Sequence, residues 1–192
     1  MKLYFNPQSR ATIARWMLEE AGVAYEIVPI DFQTREHKAP EFLAINPAGK
    51  LPALVDGDTR LFENVAIGLY IADRYPEKKL APAIDAPERG RYLSLMVYAT
   101  AQLEPAMGDE MMKLTYHPSR GWGDYASAEA AIARELGDGP YLFGEWFTAA
   151  DVMIGSIFAW KRRFGSELGH ASLNAYVDRL MARPAAAALR GG

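Results

Sequence analysis

The chain has 192 residues, half of them hydrophobic and 23% charged, with a formal net charge of −3. That suits one large domain or two small ones and carries no basic surplus that would mark a nucleic acid or anionic membrane as partner. It contains no cysteine, so disulfides, thiolate metal sites and a cysteine nucleophile are excluded, and His37, His117 and His170 lack the spacing of metal ligands.

No apolar stretch approaches the ~20 residues a membrane span needs. Met1–Phe5 breaks at Asn6-Pro7, too soon for a signal-peptide core. A cytoplasmic location is therefore the expectation.

The first eighty residues alternate between strand and helix signals. Lys2–Phe5 reads as a short strand. Ala14, Met17, Leu18 and Ala21 fall at i, i+3, i+4, i+7 and predict a helix over Ala11–Ala21, ended by Gly22. Tyr25–Ile30 is rich in β-formers and predicts a second strand. Glu41–Ile45 is a short helical turn closed by Asn46-Pro47. Leu51–Val55 and Arg60–Phe62 flank Asp56-Gly57-Asp58-Thr59 as a hairpin, and Asn64–Tyr75 is a helix stopped by Pro76. In this β-α-β-α-β-β-α order, the strands joined through the first helix should be parallel and the hairpin antiparallel.

Glu77–Pro87 holds Lys78, Lys79, Pro82 and Pro87 with few large apolar residues, and reads as a linker. Everything after it is helical in pattern. Asp85-Ala86-Pro87-Glu88 looks like a capping box opening a long helix with Tyr92, Leu95, Met96, Ala99 and Leu103 on its buried face. Pro105 should bend that helix. Further helices are predicted over Tyr125–Leu136, from Thr148 to about Arg163, and from Leu173 to about Ala182. The division is 1–77, a linker over 78–86, and 87–192.

Four local signals carry chemistry or kinship. In Phe147-Thr148-Ala149-Ala150-Asp151-Val152, Thr148 suits an N-cap, Asp151 sits three residues on, and Phe147 and Val152 occupy the staple positions; this is a folding device. In Asn46-Pro47-Ala48-Gly49-Lys50-Leu51-Pro52, Pro52 beside a strand must sit at an edge or bulge. It marks either a simple turn or a cis bond that presents the Leu51 backbone to a bound peptide. Glu63-Asn64 opens a helix, whose free N–H groups and dipole can seat a carboxylate while Glu63 pairs with an ammonium. The alternative is an N-cap asparagine and a solvated acid. Ser9 stands beside the first helix, either as a cap or as a hydrogen-bond donor to a thiolate.

These signals, in this order, resemble the cytosolic glutathione transferases over nearly the whole chain. Tyr141–Asp151 is similar to an element of that family's C-terminal domain. Pro7–Thr12, Glu36-His37-Lys38, Asn46–Gly49 and Phe62-Glu63 look closest to the serine-type, phi-like branch. The resemblance implies a thioredoxin-like N-terminal domain followed by an all-helical C-terminal domain, that is, α/β plus all-α. It implies that Ser9 activates the glutathione thiol. His37, Lys38 and Lys50 would surround the glycine carboxylate, Leu51 before a cis Pro52 would pair with the cysteinyl backbone, and Glu63 and Asn64 would take the γ-glutamyl end. The family usually has Ser or Thr where this chain has Asn64, which changes the donor geometry. Tyr4-Phe5-Asn6 with Arg10 and Arg15-Trp16 resembles the tyrosine-type branch instead, in which Tyr4 would bond the thiol and Arg10 would support it. The Pro7–Thr12 match favours Ser9.

The function so implied is conjugation of glutathione, a consumed co-substrate, to a small apolar electrophile. A cytoplasmic homodimer serving detoxification, with no metal and no separate cofactor, completes the expectation. Met107, Met111, Met112 and Tyr116 are either lining residues for the electrophile or core and interface residues. The alternative function is a glutathione-binding or protein-interaction member of the same fold that does not catalyse. Thiol–disulfide reduction by a protein thiol is excluded by the missing cysteine.

Overall fold

The computed structural model describes residues 1–189, which fall into two compact units. One is Met1–Lys78 together with the chain from Pro184, and the other is Lys79–Arg183.

In the first unit, β1 (Lys2–Phe5), β2 (Glu26–Pro29), β3 (Ala53–Asp56) and β4 (Thr59–Phe62) form one sheet in the order β2-β1-β3-β4. β1 and β2 are parallel, because α1 (Ala11–Ala21) carries the chain back between them; β3 runs antiparallel to both β1 and β4. Tyr4 lies opposite Ala53, and Ala53 opposite Phe62. Side chains alternate across the pleat. Leu3 and Phe5 are buried on one face, where Arg15 of α1 stacks on the Phe5 ring. On the other face Tyr4 meets Phe42 of the four-residue helix α2 (Pro40–Leu43), within a cluster of Ile30, Phe42 and Ala53 joined by Phe32, Ile45 and Leu51.

α1 buries more than the expected stripe. Ile13 and Trp16 are inside as well, because the turn Pro184–Leu189 packs along α1 in addition to α3 (Asn64–Arg74). Gly22 ends α1 in the left-handed region, its N–H capping the carbonyls of Leu18 and Glu19. The expected strand at Leu51 begins two residues later, at Ala53, because Leu51-Pro52 turns the chain before it can join the ladder.

The second unit is helical. Its first long helix does not open at an Asp85 capping box. The chain turns through Ala83–Arg89 by backbone bonds, and α4 (Arg89–Tyr98) starts after Glu88, which has helical dihedrals and no side-chain cap. All five residues expected on its buried face are buried. Pro105 acts through the turn that precedes it: Ala99–Leu103 widens to a π-turn between α4 and α5 (Glu104–Met111). A proline cannot donate to the carbonyl four residues back, and a wider turn accommodates the missing bond.

α6 (Tyr125–Leu136) is capped by Asp124, which accepts from the Ser127 N–H at 2.8 Å. α7 (Ala149–Arg163) is buried on nearly every side over Ala149–Phe158 and is the axis of this unit. α8 (Ala171–Met181) lies so close to it that a Cβ on Gly155 would stand 2.1 Å from Leu180 Cδ1. The half-turn at Lys79-Leu80 belongs to this unit: the Leu80 carbonyl accepts from the Ala149 N–H and the Lys79 carbonyl from the Trp146 indole. No helix among the described residues is long and apolar enough to cross a membrane.

Candidate functional site

The parallel pair β1 and β2, the start of β3 and the end of β4 all meet at one end of the first unit's sheet, as the pairing of Tyr4 with Ala53 and of Ala53 with Phe62 requires. Four segments therefore leave the sheet together: Asn6–Arg10, the chain after Ile30 that carries Glu36–Lys38, Lys50–Pro52, and Glu63-Asn64. Every residue singled out as a glutathione contact lies on one of them. The amino ends of α1 and α3 point their free N–H groups to the same end.

Ser9 sits in the last turn before α1 and is half-buried. Its hydroxyl donates to the Asn6 carbonyl at 2.7 Å and its oxygen accepts from the Ala11 N–H at 3.2 Å. It thus serves as turn and cap, and a rotation about one bond would redirect the proton. Asn6 anchors this loop to the end of β2, donating to the Ile30 carbonyl at 2.7 Å. Tyr4 points to the α2 face, its ring edge-on to Phe42 at 5.6 Å.

His37 and Lys38 lie on the short 3-10 turn Glu36–Lys38. The His37 ring stands edge-on to Phe32 at 4.9 Å, and its buried Nδ1 has no hydrogen-bond partner among the described residues. Lys38 Nζ donates to the carbonyls of Gly49, at 2.8 Å, and Ala48, at 3.3 Å, which leaves one N–H for another acceptor. Asn46 organises the facing turn. It is 1% exposed, donates to the Lys50 carbonyl at 2.7 Å and accepts from the Ala48 N–H at 3.0 Å. The structure therefore joins the 36–38 and 46–50 segments, with Lys50 exposed at the edge. The roles of Asn6 and Asn46 escape a reading of the sequence, although Asn46-Pro47-Ala48-Gly49 held the signal: an asparagine whose side chain closes a turn on its own backbone two residues on.

Leu51-Pro52 is a cis peptide. The Leu51 side chain packs into the Phe42 cluster, while its backbone N–H and C=O have no partner among the described residues. Glu63 is exposed and has φ 69° and ψ 129° immediately before α3. Left-handed φ is unfavourable for a residue with a Cβ, and such strain gathers at ligand sites. Asn64 is 7% exposed and donates to the Arg10 carbonyl at 3.1 Å, so the loop bearing Ser9 and the start of α3 are tied together. Among the described residues no cluster of His, Asp and Glu could hold a metal.

The four residues read as either electrophile lining or core and interface fall in the second unit. Met107 is core, at 1% exposure, whereas Met111, Met112 and Tyr116 are exposed.

The geometry can be compared with known proteins. Residues 1–73 match the family described as the glutathione S-transferase N-terminal domain. The chain is 32% identical to glutathione S-transferase 3 of Zea mays, in an alignment covering 96% of this chain and 90% of that protein. Among solved structures it is similar to BphK, a bacterial glutathione transferase in a ternary complex, with TM-score 0.81 and 28% identity over 99% of this chain and 98% of that one. A sphingomonad glutathione S-transferase complexed with glutathione is similar at TM-score 0.78 and 31% identity, over the same shares of the two chains.

Proposed function

The chain belongs to the cytosolic glutathione transferase family, and from that premise we propose that it joins the glutathione thiolate to a small apolar electrophile, with Ser9 holding the thiolate. The sulfur–carbon bond forms as a leaving group departs with its electron pair, or as an activated double bond takes up the sulfur and then a proton from solvent. Glutathione is consumed, so no further cofactor is required.

The observation that carries this reading is the meeting of two helix starts at one end of the sheet, tied by Asn64 to the Arg10 carbonyl. A γ-glutamyl group held at Glu63 and Asn64 would place the cysteinyl backbone along Leu51 and the thiol toward Ser9. His37, Lys38 and Lys50 would then face the glycine carboxylate. A free thiol has a pKa of ~8.5 and is mostly protonated at neutral pH. A hydroxyl donor and the positive end of α1 both favour the anion. We further place the protein in the cytoplasm as a detoxifying homodimer, with α3 of one subunit against α4 of the other. Exposed Leu93 and Val97 on α4 support such an interface.

One observation favours a second reading. The Ser9 hydroxyl already donates to the Asn6 carbonyl, as a purely structural serine would, and a protein of this kind would bind glutathione without turning it over. Titration calorimetry with glutathione, followed by turnover with a panel of electrophiles, separates the two. Binding and conjugation are expected. Binding without conjugation supports the second reading, and absence of binding contradicts both.

A further inference from the structure

Two asparagine side chains tie the loop that carries Ser9 to elements distant in sequence. Asn6 ties its start to β2 through the Ile30 carbonyl. Asn64 ties its end to α3 through the Arg10 carbonyl, across 54 positions of sequence. Between these anchors neighbours in sequence bond locally: the Gln8 N–H to the Asn6 side chain, the Ser9 N–H and hydroxyl to the Asn6 carbonyl, and the Ala11 and Thr12 N–H groups at the start of α1 to the Ser9 hydroxyl oxygen and carbonyl.

The orientation of the Asn64 amide is fixed, since reversing it would set two oxygens face to face. Its Oδ1 is buried and has no partner among the described residues. The Arg10 carbonyl also accepts α1's own bond from the Ile13 N–H at 3.1 Å. α1 therefore keeps its first turn without Asn64, whereas the Ser9 loop loses this tie to α3.

We propose that Asn64 is a positioning residue for thiol activation, whose amide holds the Arg10 carbonyl and so fixes Ser9 relative to Glu63. The proposal rests on the glutathione reading above and deepens it. Asn64 sits in the γ-glutamyl part of the site, yet one of its two amide N–H donors is committed to the loop that faces the thiol. Its removal should disturb the sulfur more than the peptide contacts. A serine hydroxyl lies one bond nearer the main chain than the Asn64 amide nitrogen, so Asn64→Ser should loosen the same tie.

The test follows thiolate absorbance of bound glutathione against pH, with kcat and KM for glutathione, in the native protein, Asn64→Ala, Asn64→Ser and Glu63→Ala. The pH titration needs no electrophile, and circular dichroism checks folding. Asn64 is the first residue of α3, the N-cap position being Glu63, and Asn64→Ser keeps a polar side chain there should Asn64→Ala fail to fold. Both Asn64 variants should raise the bound thiol's pKa by about one unit and lower kcat at pH 7 by about threefold to tenfold, with KM moved less than about twofold. Glu63→Ala should raise KM and leave the thiol pKa in place. A raised KM with unchanged thiol pKa in the Asn64 variants would make Asn64 a plain ligand contact, and no change in either would make it a spectator; both results overturn the proposal. A native protein that binds no glutathione overturns instead the functional reading beneath it, and the proposal with it.

Discussion

Gly49 holds φ at 59° with Lys38 Nζ and the His37 carbonyl close against it. A Cβ at this position would stand 2.7 Å from that ammonium and 2.9 Å from that carbonyl oxygen. The ammonium ends a flexible side chain and can move; the carbonyl is main chain and cannot move without its turn. Gly49→Ala therefore combines an unfavourable backbone conformation with displacement of the 36–38 turn. It should weaken glutathione binding about tenfold, or ~1.4 kcal/mol, in titration calorimetry. Unchanged affinity would remove His37 and Lys38 from the carboxylate site. The Asn-Pro-x-Gly run was visible in the sequence as a turn, but the reason for the glycine was not. It depends on a lysine eleven positions earlier, brought close only once both loops leave the same end of the sheet.

The start of α7 is the element whose sequence signal translates most directly into structure. Asp151 is 0% exposed, and its carboxylate accepts from the Thr148 N–H and hydroxyl, the Leu142 N–H and the Tyr176 hydroxyl. Burial still outweighs these donors and pushes the carboxyl's pKa up. The folded state thus holds the proton more tightly than the unfolded chain does. This group's contribution to stability is full below its unfolded pKa and is lost as pH rises through the folded one. Asp151→Ala strands the Leu142 N–H and the Tyr176 hydroxyl in the interior and should cost ~3 kcal/mol or more, given ~1–3 kcal/mol for each unsatisfied buried group. Against Asp151→Asn, the native protein's relative stability should be greatest at acid pH and fall toward neutrality. Denaturant unfolding between pH 3.5 and 7 measures both effects, and an Asp151→Ala protein of native stability would refute the role given to this carboxylate.

The Thr-x-x-Asp pattern was legible because both partners of the cap lie within one helical turn. The false signal at Asp85 shows the limit of such patterns: the same spacing occurs where backbone turns already carry the chain into α4. Asp124, the cap of α6, escapes a reading of the sequence although it too lies within a turn of its donor Ser127. The π-turn before Pro105 was foreseen only as a bend, since a proline states that a bond is missing and not how neighbouring bonds regroup.

At the scale of the whole chain, the order of strands and helices was readable from periodicity and breakers, and the strand directions then gather the candidate residues at one end of the sheet. The wide burial of α1 was not readable, because the segment that covers it comes from beyond Pro184. Assembly belongs to this scale as well. α4 leaves Leu93 and Val97 exposed on a helix whose other side is core, and a two-fold dimer is the commonest way to cover such a face. Light scattering at micromolar concentration should give twice the chain's 21.3 kDa; a mass of one chain would exclude the dimer.

The central claim is that Ser9, rather than Tyr4, holds the thiolate. Ser9 stands at the amino end of α1, whereas the Tyr4 ring packs against Phe42 in the apolar cluster. The direct measurement is the pKa of bound glutathione's thiol, followed by thiolate absorbance against pH in the native protein, Ser9→Ala and Tyr4→Phe. The account predicts that Ser9→Ala raises this pKa by about one unit, equivalent to ~1.4 kcal/mol of lost thiolate stabilisation, and slows conjugation more than it weakens binding, while Tyr4→Phe leaves the pKa in place. A raised pKa in Tyr4→Phe with none in Ser9→Ala would contradict it and make this a tyrosine-type enzyme.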